Sequence, residues 1–151
     1  MQNFKHQFTV NCPVERVWEF YTDVKHLEII TPKEIDLKIN NFTSQIIAQG
    51  QEIWCSGKII TKIRRTVWHS KITFLKPYEY IDEMLAGPFK KWRHLHKFYN
   101  IDGKHTEIID EIEFELPYSI LGKLFEGYAH KQLQQTFEHR KVATIKALEN
   151  I

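Results

Sequence analysis

The sequence predicts an α+β fold in which a curved antiparallel sheet grips a long C-terminal helix. Three observations predict it. Residues 3–10 alternate between apolar and polar, the period of a strand. Short strand-like runs divided by turn residues fill the middle of the chain. From Ser119 onward the period becomes helical, with no proline after Pro117. Strands grouped together and followed by one long helix read as α+β rather than as βαβ units.

The elements follow in order. Phe4, His6, Phe8 and Val10 share one face of the first strand. Asn11-Cys12-Pro13 ends it, and proline suits the first turn of a helix. Val14, Val17, Trp18, Tyr21 and Val24 recur at helical spacing over 14–24. Leu27, Ile29 and Ile30 continue as a second short helix that stops before Pro32. Strands are expected over 36–41, 51–61, 65–75, 78–86, 89–99 and 105–116, with Gly50, Pro77, Gly87-Pro88 and Asp102-Gly103 among the dividers. Leu121, Leu124, Phe125, Tyr128, Leu133, Phe137, Ile145 and Leu148 form one broad apolar face of a helix over 120–149, about 45 Å long. So long a sheet must curl, and only this helix can cover its concave face.

The chain of 151 residues fits a single domain, 1–151. A formal net charge of +2 supplies no strong field for nucleic acid or an acidic membrane. No run of 18 apolar residues occurs, and the N-terminus has no apolar targeting region, so a cytoplasmic location is expected, with no integral membrane segment. Cys12 and Cys55 have no metal-ligand or CxxC spacing and read as reduced, buried thiols. No nucleophile elbow, phosphate-cradling loop or HExxH motif is present, and with only six glycines nucleotide-cofactor binding is not expected. No cofactor is expected. Nothing in the sequence sets an oligomeric state.

The most informative segment runs from Trp92 to Leu116. Trp92, His94, His96 and Phe98 lie on one strand face; Ile108, Asp110 and Ile112 lie on one face of the partner. A three-residue loop, Ile101-Asp102-Gly103, would pair Lys97 with Glu107, Leu95 with Ile109, Arg93 with Glu111 and Lys91 with Glu113. On the inner face it sets His94 opposite Asp110. A buried ionisable group needs a partner, and these two can supply each other's. Four readings stay open: a structural pair fixing register, a polar anchor in an apolar ligand pocket, general acid–base catalysis by His94 with Asp110 as orienter, and a metal site of two histidines and a carboxylate. The last needs all three side chains to converge, which the expected diagonal geometry does not guarantee, so no metal ligand is assigned. Trp68, Ser70, Ile72 and Phe74 alternate on an earlier strand and could line the same space or pack the core. Lys90, Lys91 and Arg93 read as a neutralised surface, and Glu28 as a surface residue near a pocket mouth.

These residues resemble a known family. Pro13–Phe20, Leu27–Pro32, Trp68–Ile72, Asp82-Glu83 with Gly87-Pro88-Phe89, Trp92-x-His94-x-His96-x-Phe98, Asp110 with Leu116-Pro117, Gly122 and Phe137-x-x-Arg140 together look like a member of the SRPBCC superfamily of START-like, helix-grip proteins. The resemblance covers nearly the whole chain and is most specific over 87–98. It implies a cavity between sheet and C-terminal helix for a lipid, polyketide, isoprenoid-like or other hydrophobic ligand. The expected role is therefore binding of an apolar or amphipathic small molecule rather than catalysis. Trp68, Trp92, Phe98, Ile108, Ile112, Leu124 and Tyr128 would supply apolar surface, and His94, His96 and Asp110 would hold polar atoms. The alternatives are a cyclase or dehydratase using His94 and Asp110 as an acid–base pair, and a non-catalytic partner of another enzyme.

Overall fold

The computed structural model describes residues 1–117 and 119–149, and the side chains of 119–123 lie outside that description. Strand β1 (Gln2–Val10) leads into α1 (Val14–Thr22) and α2 (Leu27–Ile30). Six strands follow: β2 (Lys38–Phe42), β3 (Glu52–Gly57), β4 (Thr66–Lys76), β5 (Glu79–Ala86), β6 (Lys91–Asn100) and β7 (Thr106–Glu115). Helix α3 spans Ser119–Glu149. The strands form one seven-stranded sheet in the order β1-β7-β6-β5-β4-β3-β2, antiparallel throughout.

Alternation sets which face is covered. Phe4, His6, Phe8 and Val10 of β1 are buried while their neighbours are exposed. Val14, Val17 and Tyr21 of α1 sit one helical turn apart and are buried on the sheet. The backbone N–H groups of Arg16 and Val17 donate to the Pro13 carbonyl, at 3.1 and 3.2 Å, which opens α1 without a side-chain cap. Register irregularities between Ile39 and Asn41, His69 and Ser70, and Ile72 and Phe74 bend the sheet where β2–β5 curl. The last of these turns Phe74 outward to 37% exposure, so it does not share the inner face with Trp68, Ser70 and Ile72 as its spacing predicts.

Two apolar clusters result. One joins β1 and β7 to α3 through Phe4, Ile112, Phe114 and Phe137. The other gathers Val10, Val17, Tyr21, Ile72, Phe98, Ile108 and Leu148 under α1 and the end of α3. Each such large side chain contributes roughly 1.5–3 kcal/mol by leaving water.

Helix α3 is held along its second half, where Phe137, Arg140, Thr144 and Leu148 form the buried stripe. Nearer its start it is less covered: Leu124, Phe125 and Tyr128 are 76%, 54% and 45% exposed, before Ala129 and Leu133 pack against the β1–β7 cluster. The broad apolar face therefore divides into a packed part and an open part; the position expected for Leu121 lies outside the described side chains. The expected strand 51–61 ends at Gly57, and residues 58–65 form an irregular rim. No helix among the described residues is long and apolar enough to cross a membrane.

The β6–β7 register differs from the expected one. His96 faces Asp110, Leu95 faces Glu111, Arg93 faces Glu113 and Lys91 faces Glu115. The reason lies in the turn. Five residues, Ile101–His105, connect the strands, with Ile101 N–H donating to the His105 carbonyl at 3.0 Å. Asp102 accepts from the N–H groups of Lys104 and His105, at 2.9 and 2.8 Å, and Gly103 takes φ +81°. The inner face then gains Trp92 opposite Phe114 and Phe98 opposite Ile108. The outer charges recover partners partly on the diagonal, as Lys97 does with Glu111 at 3.6 Å.

Candidate functional site

Part of α3 and the concave face of the sheet border a cavity of about 1350 Å³ that opens to solvent. Trp68, Ser70, Met84 and Trp92 line it from the sheet, and Leu124, Tyr128, Gln132 and Thr136 from the helix. Leu27, Ile30, Ile59 and Ile60 border it from α2 and the 58–65 rim. The interior is hollow where a purely structural domain would be filled.

Among the polar side chains bordering this cavity are Asp82, His94, His96 and Arg140, of which the two histidines and Arg140 are buried. Strand periodicity places the first three. Tyr80, Asp82 and Met84 share a face of β5, and Trp92, His94 and His96 share the matching face of β6. Asp82 stands opposite His94 in the ladder. Its Oδ2 accepts a hydrogen bond from His96 Nε2 at 2.9 Å and lies 3.8 Å from His94 Nδ1. Behind the imidazoles, Asp110 of β7 accepts from His94 Nε2 at 2.7 Å. His96 Nδ1 is 3.2 Å from the same Asp110 oxygen but outside hydrogen-bond geometry, which leaves that buried nitrogen without a partner among the described residues. Tyr80 stacks on His96 with ring centroids 4.1 Å apart, and His94 and His96 lie 3.6 Å apart.

Arg140 reaches the site from α3. It is 9% exposed, its guanidinium lies 4.9 Å from the Phe137 ring centre, and its Nε has no hydrogen-bond partner among the described residues. Its charge contributes to the electrostatics of both carboxylates.

Burial and charge divide the two histidines. Burial, with the positive tendency of His96 beside it, lowers His94 to about 4 despite the Asp110 hydrogen bond. Burial acts the same way on His96, but Asp110 and Asp82 together outweigh it and raise its pKa. Burial alone would raise Asp110 and Asp82; hydrogen bonds and charge from the histidines hold both below the usual carboxylate range. Burial also pushes the Cys55 thiol up to about 12, so this cavity-lining cysteine is a weak nucleophile.

The residues expected at the site separate into two groups. Trp68, Trp92, His94, His96, Leu124 and Tyr128 border the cavity. Phe98, Ile108, Ile112 and Asp110 do not; the first three pack in the two apolar clusters, and Asp110 sits behind the histidines. Glu28 does not face the cavity either: its Oε1 accepts from the backbone N–H of Ile39 at 3.0 Å and ties α2 to β2. Asp82 and Arg140 were not among the expected site residues. The two-residue period of β5 points to Asp82, and the helical spacing from Phe137 points to Arg140.

Comparison with protein-family models and with curated sequences finds no match. Solved structures do match over nearly the full chain. A START superfamily protein from Mycobacterium smegmatis superposes with a TM-score of 0.74 at 13% identity, covering 98% of this chain and 97% of that one. Truncated norcoclaurine synthase from Thalictrum flavum gives 0.73 at 12% identity, covering 97% and 92%. The Zhui aromatase/cyclase from a Streptomyces species gives 0.68 at 19% identity, covering 97% and 90%. At these identities the likeness establishes architecture and leaves chemistry to the site. The order of elements, the curved seven-stranded sheet and the long closing helix give this chain the helix-grip fold that these structures share.

Proposed function

We propose that this protein binds an amphipathic small molecule, with its apolar body between the sheet and α3 and an oxygen-bearing end at Asp82, His96 and Arg140. The observation that carries this reading is the cavity of about 1350 Å³ bordered by Asp82 and by the buried His94, His96 and Arg140. Apolar walls with a few convergent polar groups are the usual form of a small-molecule site. The unpartnered Arg140 Nε supports an acceptor on the ligand, since a buried donor without a partner costs about 1–3 kcal/mol. Exposed Leu124 and Tyr128 beside the cavity support an apolar body that would cover them.

A second reading is acid–base catalysis by His94 oriented by Asp110, and the 2.7 Å contact favours it. A pKa of about 4 makes His94 a weak base near neutrality, so binding is preferred.

Native mass spectrometry of the purified protein, combined with titration of the apolar fluorophore N-phenyl-1-naphthylamine, tests the binding reading. Saturable one-to-one uptake is expected, weakened about tenfold or more by Ser70→Trp, which places a bulky ring at a cavity-lining position. A folded protein with no co-purified molecule and no saturable uptake would overturn it.

A further inference from the structure

We infer that Asp82, His94 and His96 form a binding site for a single divalent metal ion of the zinc class, open toward the cavity. Donor atoms of these three residues all lie within 4.8 Å of one another. Asp82 Oδ2 is 2.9 Å from His96 Nε2 and 3.8 Å from His94 Nδ1. Ligand atoms arranged tetrahedrally around zinc stand roughly 3.3 Å apart, given bonds of about 2.0–2.1 Å. The observed separations bracket that value, so small side-chain movements close the site.

The surroundings fit the same reading. A histidine that ligates a metal usually donates its other N–H to a carboxylate, which fixes the tautomer. Asp110 accepts from His94 Nε2, so the Nδ1 lone pair of neutral His94 remains available on the Asp82 side. The same Asp110 oxygen lies 3.2 Å from the otherwise unpartnered His96 Nδ1, and its Nε2 then faces Asp82. One buried carboxylate thus backs both imidazoles while a second stands in front of them. With neutral imidazoles, Asp82 and Asp110 carry two negative charges against the positive charge of Arg140, and that balance favours a cation.

The three ligands border the cavity and Asp110 does not. Two histidines and one carboxylate leave coordination positions unfilled by protein, and here those positions face the cavity. A metal so placed would take an oxygen or nitrogen of the cavity's occupant, or a water. The inference stands on donor geometry and does not require the occupant to be apolar.

Cobalt(II) titration of chelator-stripped protein, followed by its visible d–d absorption, tests the site. One equivalent with the intensity of a low-coordinate ion is expected, and zinc(II) should displace it and raise the melting midpoint. Asp82→Asn, His94→Ala and His96→Ala should each abolish the absorption. Asp110→Asn should weaken binding about 10–100-fold. His105→Ala, at an exposed turn, should change nothing. Circular dichroism establishes that each variant folds, and Asp82→Asn decides the matter if a histidine variant does not. Absence of stoichiometric binding, or binding that survives Asp82→Asn, would overturn the site. Cobalt uptake without naphthylamine uptake contradicts the cavity reading alone, and the converse contradicts the metal site alone.

Discussion

His94 and Asp110 are joined by a 2.7 Å hydrogen bond although they are not opposite each other in the β6–β7 ladder. His94 stands across from Ile112, and its imidazole leans along the strand to reach the carboxylate two residues away. Asp110 is 2% exposed and His94 is 4% exposed, so neither can turn to water if the other is lost. Asp110→Leu should lower stability by about 1–3 kcal/mol, because the buried His94 N–H then has no acceptor. Urea denaturation measures it. An unchanged midpoint at unchanged slope contradicts the pairing.

The two histidines should titrate in opposite directions from an ordinary imidazole. In chelator-treated protein, nuclear magnetic resonance of the imidazole carbons should place His94 near pH 4 and His96 above about 6.5. The signs for stability follow. The neutral form of His94 is favoured by the fold, so its contribution is present above about pH 6.5 and is lost as the pH falls toward 4. His96 favours its charged form when folded, so its contribution is present below about pH 6.5 and is lost as the pH rises through its raised value. A His94→Gln variant should lose less stability than the parent between pH 6.5 and 4. Equal losses in the two proteins contradict the assignment.

The alternation of β1 and of β6, the helical spacing of α1 and the proline-free C-terminal stretch were legible in the sequence, because each reports a covered face directly. The hairpin register was not. Charge pairs suggested Lys97 opposite Glu107, yet exposed pairs are worth little compared with aromatic packing on the inner face. Trp92 against Phe114, Phe98 against Ile108 and the side-chain bonds of Asp102 within the turn outweigh them. Asp82 and Arg140 were read as parts of a family-like pattern rather than as site residues. The period of β5 and the helical spacing from Phe137 give the faces they occupy, but their meeting at one site depends on how neighbouring strands and a distant helix come together. The exposure of Leu124 and Phe125 was hidden for the same reason: helical spacing names a face but not whether anything covers it.

Tyr21 and Thr144 fasten the end of α3 to α1. The Tyr21 hydroxyl and Thr144 Oγ1 are 2.8 Å apart, and Thr144 is fully buried. Burial raises the phenol well above its usual range, so the hydroxyl stays protonated. Tyr21→Phe keeps the ring contact with Phe98 but strips the hydroxyl's partner. A loss of about 0.5–1.5 kcal/mol is expected in chemical denaturation. Tyr21→Phe with Thr144→Val should lose less than the sum of the two single changes, which a double-mutant cycle reads directly. Strict additivity contradicts the bond.

Gly87 allows β4 and the end of β5 to approach. A Cβ at this position would lie 2.7 Å from Trp68 Cβ and 2.4 Å from Met84 Sδ. The methionine tip can swing aside, but the Trp68 Cβ moves only with its strand. Both residues line the cavity, so an added methyl group disturbs the wall as well as the packing. Gly87→Ala should cost about 1–3 kcal/mol, the usual range for overpacking. It should also shift the tryptophan emission and change N-phenyl-1-naphthylamine affinity. Leu85→Ala, two residues away at an exposed position, should do neither. If Gly87→Ala leaves stability, emission and probe affinity at parental values, the close approach of Trp68 to this backbone is not what shapes the cavity wall.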